Sequence, residues 1–128
     1  MKIREMTAAD AAHIIEMMRV FYTSPAVMSN GSEEIFRADV DACIRTDNPY
    51  LEGYVFCDRD EIAGYAMVAK SFSTEFGKPC VWIEDLYVTP AFRGCGVGTE
   101  VLNWLEQKDP ACIHCLEAEE DNHGAVRL

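Results

Sequence analysis

Apolar residues recur along this chain with two periods, and the switches between them lay out its elements. Lys2–Met6 predicts a short opening strand, and Thr7-Ala8-Ala9-Asp10 is a helix-capping signal with aspartate in place of the usual glutamate. The helix it opens carries Ala11, Ile14, Ile15, Met18 and Phe21 or Tyr22 on one face. Pro25 and the Ser29-Asn30-Gly31 turn end that unit. Ser32 caps a second helix from Glu33 to about Arg45, with Ile35, Phe36, Val40, Cys43 and Ile44 as its apolar positions, and Asn48-Pro49 breaks it. Tyr50–Cys57 and Ile62–Lys70 read as an antiparallel hairpin around the charged turn Asp58-Arg59-Asp60-Glu61. Ser71–Pro79 reads as a polar loop and Val81–Val88 as a central strand. A helix follows from Gly96 to about Lys108, where Asp109-Pro110 stops it, and Ala111–Ala118 reads as the next strand. Strand, helix and strand in that order form a βαβ crossover with parallel strands at its heart. Asn122 caps a last helix. The expectation is one α/β domain over residues 1–128 with a mixed sheet, without repeats or linkers.

Composition narrows the class without changing that layout. A chain of 128 residues, 49% hydrophobic and 26% charged, is long enough for one sizeable core. Its net charge of −11 argues against nucleic acid, where affinity rests on basic contacts to phosphate, and suits a cationic partner such as a free amine. No apolar run approaches the ~20 residues of a membrane span, and Met1-Lys2-Ile3-Arg4-Glu5 lacks the apolar stretch of a secretory signal, so the expected location is cytoplasmic. Six cysteines in such a protein are expected to be free thiols, mostly buried. Cys112-Ile113-His114-Cys115 lacks the second ligand pair of a zinc site, and in a strand its two cysteines point to opposite faces. No metal is expected.

The chemistry concentrates in residues 83–99. An apolar strand carries two acids, Glu84 and Asp85, and leads through Leu86, Tyr87 and Val88 to Thr89-Pro90. Arg93 follows, then Gly94, Gly96 and Gly98 at every second position, with Cys95, Val97 and Thr99 between and after them, and then the helical pattern. A glycine-rich turn opening a helix aims several free N–H groups at one point, where the helix dipole also favours negative charge. Arg93 adds a charged donor at the mouth of that phosphate cradle. The loop lacks the lysine of a Walker A motif, and its G-x-G-x-G spacing, set well after the strand, is not a Rossmann fingerprint.

Arg93-x-x-Gly96-x-Gly98 resembles the acyl-CoA pyrophosphate loop of the GNAT superfamily of N-acyltransferases, and the element order resembles theirs from Met1 to Leu128. Gly64-Tyr65-Ala66-Met67 and Trp82-Ile83-Glu84-Asp85-Leu86-Tyr87-Val88, with that loop, are most similar to the diamine (spermidine/spermine) N-acetyltransferase branch. The resemblance implies acetyl-CoA as co-substrate and direct attack on its thioester by a primary amine, polyamine-like or derived from an amino acid. It implies that the backbone from Arg93 to Thr99 holds the pyrophosphate and that Asn122 also lies at the cofactor. Main chain of Leu86, Tyr87 and Val88 would align the pantetheine arm and polarise the thioester carbonyl.

An alkylammonium has no lone pair at neutral pH, so the reaction needs a base, and Glu84 and Asp85 are the candidates. As strand neighbours they are expected on opposite faces of the sheet. Glu84 matches the strand glutamate implicated in amine binding and deprotonation in the diamine branch. Tyr87 shares a face with Asp85 by alternation and is expected to line the core or the substrate. His13, His114 and His123 are expected to be ordinary surface or satisfied histidines. The family's usual acid for the departing thiolate is a tyrosine that would come directly after Leu128, and its two final strands would follow that. Without them, the edge of Ala111–Ala118 is expected to stay open or to be covered by a second copy in a homodimer. Two other readings stay open: acetylation of a protein N-terminus or lysine, and a CoA-binding module without catalysis.

Overall fold

The computed structural model describes residues 1–23 and 32–116. Five strands form one sheet in sequence order, β1 (Lys2–Glu5), β2 (Leu51–Asp58), β3 (Glu61–Ser73), β4 (Lys78–Val88) and β5 (Ile113–Leu116). Each of the first four is antiparallel to its neighbour and β5 runs parallel to β4, as expected of a crossover through a helix. The helices are α1 (Ala11–Phe21), α2 (Glu33–Ile44) and α3 (Val97–Lys108).

Two cores form, one on each face of the sheet. Ile14, Ile15, Met17 and Met18 of α1 and Phe36 and Val40 of α2 pack on Val55, Tyr65, Met67 and Tyr87. Val97, Val101 and Leu105 of α3 pack on Tyr54, Phe56, Ala66, Val68, Val81 and Ile83. The aspartate of the capping signal fastens the first helix to the sheet. Asp10 accepts the Thr7 N–H at 2.8 Å and both terminal nitrogens of Arg4, on β1, at 2.8 and 2.9 Å. Those arginine bonds hold its carboxyl down at about 2. At α2 the Ile35 N–H donates to the Ser32 side chain at 3.3 Å, the expected cap.

Several expectations need correction. Ser71–Pro79 is mostly strand: Ser71 pairs with Cys80, Phe72 with Pro79 and Ser73 with Lys78, around a turn at 74–77 that ends on Gly77 at φ +63. The stretch reads as a loop because most of it is solvent-exposed, Phe72 included, so no apolar alternation marks it. Ile35 is exposed rather than packed, while Met17 is buried, which widens the apolar stripe of α1. Tyr50 lies outside β2 and is exposed. Of the cysteines only Cys80 is buried; Cys43, Cys57, Cys112 and Cys115 are half-buried at the margins, and Cys95 is exposed in the glycine loop. β5 is described as Ile113–Leu116, shorter at its start than expected because Cys112 still belongs to the turn, its N–H bonded to Asp109 O. Asn122, His123 and the expected last helix lie outside the described residues. Among the described residues no helix is long and apolar enough to cross a membrane.

Candidate active site

β4 is not a regular strand. Asp85 pairs with Met67 and Ile83 with Val68, so Glu84 is an extra residue without a partner on β3. A bulge of this kind resets the alternation of side chains. Below it Val81 and Ile83 face the α3 core; above it Leu86 and Val88 pack there, and Asp85 and Tyr87 face α1 and α2. The expectation that Glu84 and Asp85 take opposite faces is therefore corrected. Glu84 is exposed, and its charge bears on Tyr22 and Asp39, which lie on the same side as Asp85.

Asp85 is buried, 4% exposed, and both its oxygens are occupied. Tyr22, at the end of α1, donates to Oδ1 at 2.9 Å, and Tyr65, on β3, donates to Oδ2 at 2.8 Å. Burial pushes this carboxyl above the usual range, while the two hydroxyl bonds pull it back. Both tyrosine hydroxyls are in turn held well above their ordinary value, first by burial and then by the Asp85 charge. Asp39, half-buried on α2, is also pushed up, by burial and then by the charges of Asp85 and Glu84. The Cys43 thiol is pushed up to about 12 by burial and then by the charges of Asp39 and Asp85. Three carboxylates thus share one side of the sheet, facing Tyr22 and lined below by the aromatic contacts of Phe21 with Tyr65 and Tyr87.

The glycine loop sits at the upper end of β4, after the 3₁₀ turn Pro90–Phe92. Gly94 and Gly96 have φ of +76 and +80, and a side chain built on either would meet nothing within 4 Å. Gly96 is the residue before α3, without a side-chain cap, so the N–H groups of Val97, Gly98 and Thr99 open the helix without intrahelical partners. The loop is a cradle of backbone with room in front of it, the geometry that a pyrophosphate requires. Arg93 does not point freely outward. Its Nε donates to the Val88 carbonyl at 2.8 Å, and its guanidinium stacks over the Tyr87 ring at 5.4 Å. Cys95 is the exposed residue between the two left-handed glycines.

The main chain of β4 completes the arrangement. Thr89 N–H bonds Ala63 O on β3, so alternation turns the polar groups of Val88, and of Leu86 two residues earlier, toward the other edge. Among the described residues the β5 pairing of that edge ends at Ile83–Leu116. Leu86 and the N–H of Val88, whose carbonyl is held by Arg93, thus present backbone between the bulge and the loop, where the pantetheine arm of acetyl-CoA would lie. These residues fit that group.

The structure brings Glu84, Asp85 and residues 86–99 to one end of one strand. Away from this end, His13 is exposed and His114 Nε2 sits 3.2 Å from Leu105 O on α3. Tyr22, Tyr65 and Asp39 are partners that sequence reading missed. By spacing Tyr22 belongs to an apolar stripe and Tyr65 to a strand motif, and no local pattern singles out Asp39; only the parity of β3 against β4 places Tyr65 beside the acids.

A family model described as the acetyltransferase (GNAT) family matches residues 13–128. A thialysine N-epsilon-acetyltransferase of Mus musculus is 29% identical over 111 residues, covering 79% of this chain; the chain spans 62% of that relative's length. The crystal structure of a possible acetyltransferase from Clostridium difficile 630 superposes with a TM-score of 0.79 at 18% identity, over 97% of this chain and 83% of that one. The structure of AAC(6')-Iy with the bisubstrate analogue CoA-S-monomethyl-acetylneamine superposes at 0.76 with 16% identity, over 98% and 84%. At these identities the two structures establish the shared fold alone.

Proposed function

The chain belongs to the acetyltransferase (GNAT) family, and from that premise we propose that it transfers an acetyl group from acetyl-CoA to the primary amine of a small molecule, polyamine-like or lysine-like. The observation that carries the proposal is the bulge at Glu84. It sets an exposed carboxylate beside the buried Asp85 on the strand that leads into the Gly94–Gly96 loop. The mouse relative is a thialysine N-epsilon-acetyltransferase, and an ε-amine acceptor of that kind belongs to the same class.

Acetyl-CoA supplies the thioester carbonyl. The backbone of Gly94, Cys95, Gly96, Val97, Gly98 and Thr99 would hold its pyrophosphate, and the main chain of Leu86 and the N–H of Val88 would align its arm. Asp85, with both oxygens bonded, acts as a fixed negative charge rather than a proton acceptor. Together with Asp39 and Glu84 it draws an ammonium to this side of the sheet. Glu84, bulged out of the ladder with β3 and exposed, takes the proton, directly or through water, and so frees the amine lone pair. Holding amine and thioester together on one strand removes the cost of a bimolecular encounter.

The test follows acetyl-CoA consumption against diamines, polyamines, thialysine, free amino acids and peptides with free N-termini. Turnover on small diamines or lysine-like amines supports the assignment. Turnover confined to peptides overturns the acceptor class, and CoA binding without turnover on the whole panel overturns catalysis.

A further inference from the structure

Cys80, near the start of β4, and Cys115, on β5, have sulfurs 3.4 Å apart. Two separate facts put both thiols on the same face. Cys80 and Trp82 alternate with Val81 and Ile83, which pack in the α3 core. On β5 the ring of His114 turns to Leu105 O on α3, so Cys115 turns the other way. The register sets Cys80 opposite Ile113 and Cys115 opposite Trp82, so the cysteines are diagonal neighbours across a parallel pair. A disulfide requires about 2.05 Å between sulfurs, so the pair must close by about 1.4 Å. β5 can supply that movement, because its described residues, Ile113–Leu116, are half-buried or exposed.

We propose that Cys80 and Cys115 form a reversible disulfide, a redox clasp that pins β5 to β4 directly below the Glu84 bulge. Cys115 is the accessible sulfur and Cys80 the buried one, which sets the order of events. The Cys115 thiolate attacks a small-molecule disulfide, forming a mixed disulfide and releasing one thiol. The Cys80 thiolate then attacks Cys115 Sγ and releases the second, so two protein thiols and one small disulfide become one protein disulfide and two small thiols. The clasp closes a loop over residues 81–114, which carries Glu84, the glycine cradle and α3. It rests on the geometry of the two strands and stands apart from the acetyl-transfer assignment.

The experiment treats the full chain with oxidised glutathione and maps its cysteines by intact mass and by peptide mass spectrometry. The expected product has lost two hydrogens, retains no glutathione, contains a Cys80–Cys115 linked peptide and reverts with dithiothreitol. Its melting temperature rises by at least about 5 °C over the reduced form. Cys80→Ala is expected to hold glutathione stably on Cys115 and to show no rise. The clasp is overturned by a lasting glutathione adduct on Cys115 in the unaltered protein, by a linkage through Cys112 or any other cysteine, or by an unchanged thiol count. The unaltered chain alone decides it, so the result does not depend on the variant folding.

Discussion

The glycine loop and the acidic pocket lie at the same end of β4, yet they are made of different material. The loop is backbone: Gly94 and Gly96 in left-handed conformation, with empty space where side chains would be. The pocket is side chains drawn from α1, α2, β3 and β4, with Tyr22 and Tyr65 both holding one buried carboxylate. A backbone site needs only a short contiguous stretch, whereas a side-chain site needs the whole fold in register. The loop should therefore tolerate damage elsewhere, while the pocket should fail whenever β4 shifts on β3.

The largest expected effect separates chemistry from binding. Glu84→Gln should lower the acetyl-transfer rate by ~10²–10⁴-fold, the usual worth of general-base catalysis, and leave CoA affinity unchanged in calorimetry. A loss under about threefold across the pH range removes Glu84 from the mechanism.

Two glycines then test the difference in material. At Gly64 an added Cβ would lie 2.0 Å from the Tyr87 carbonyl oxygen, backbone that cannot step aside without moving β4. Gly64→Ala should cost about 1–3 kcal/mol of stability in urea unfolding, and should disturb the pocket with it. At Gly96 nothing obstructs a side chain, so Gly96→Val should cost only the left-handed backbone strain, about 1–2 kcal/mol, and keep the fold. Its effect should fall on CoA instead, whose binding should be abolished. Unchanged CoA affinity in folded Gly96→Val would break the assignment of the cradle.

The tyrosines probe the pocket more finely. Tyr65→Phe removes a buried donor to Asp85 and should cost about 1–3 kcal/mol, whereas Tyr22→Phe, half-buried, leaves an oxygen that water can reach and should cost less. Asp85 already sits above the ordinary carboxyl range, and losing a donor moves it further up. A group held up in this way binds its proton more tightly when folded, so its contribution to stability grows as pH falls through that raised value. The charge that draws the amine appears only above it, so the rising limb of kcat/KM against pH should move to higher pH in Tyr65→Phe. A limb that stays in place would detach Asp85 from amine capture.

The same contrast explains what could be read beforehand. The order of strands and helices and the crossover are local patterns spread along the chain, and residues 83–99 carry the glycine loop in plain view. The bulge is not local. It arises from how β4 settles on β3, and strict alternation therefore placed Glu84 and Asp85 on opposite faces when they share one side. Tyr22 and Asp39 reach the pocket through the packing of α1 and α2, where an aromatic at helical spacing reads as core and a lone acid as surface. The strands on either side of the turn at 74–77 were hidden for a simpler reason: solvent on their flanks erases the hydrophobic period.

Arg93 joins the two regions, and its substitution is the smallest and most discriminating test. Its Nε bond to Val88 O and its stack over Tyr87 tie the start of the loop to the strand that bears the acids. If Arg93 acts by its charge on phosphate, Arg93→Lys keeps the charge and should keep CoA affinity. If it acts by shaping the loop, lysine fails, because its ammonium lacks the flat fork that bonds Val88 and stacks on the ring together. The geometry favours shaping. One lost hydrogen bond is worth about 0.5–1.5 kcal/mol, so Arg93→Lys should weaken CoA binding by about twofold to tenfold, and Arg93→Met by only a little more. A lysine variant with unaltered affinity beside a methionine variant that loses tenfold would make Arg93 a charge for phosphate and leave the loop to its glycines.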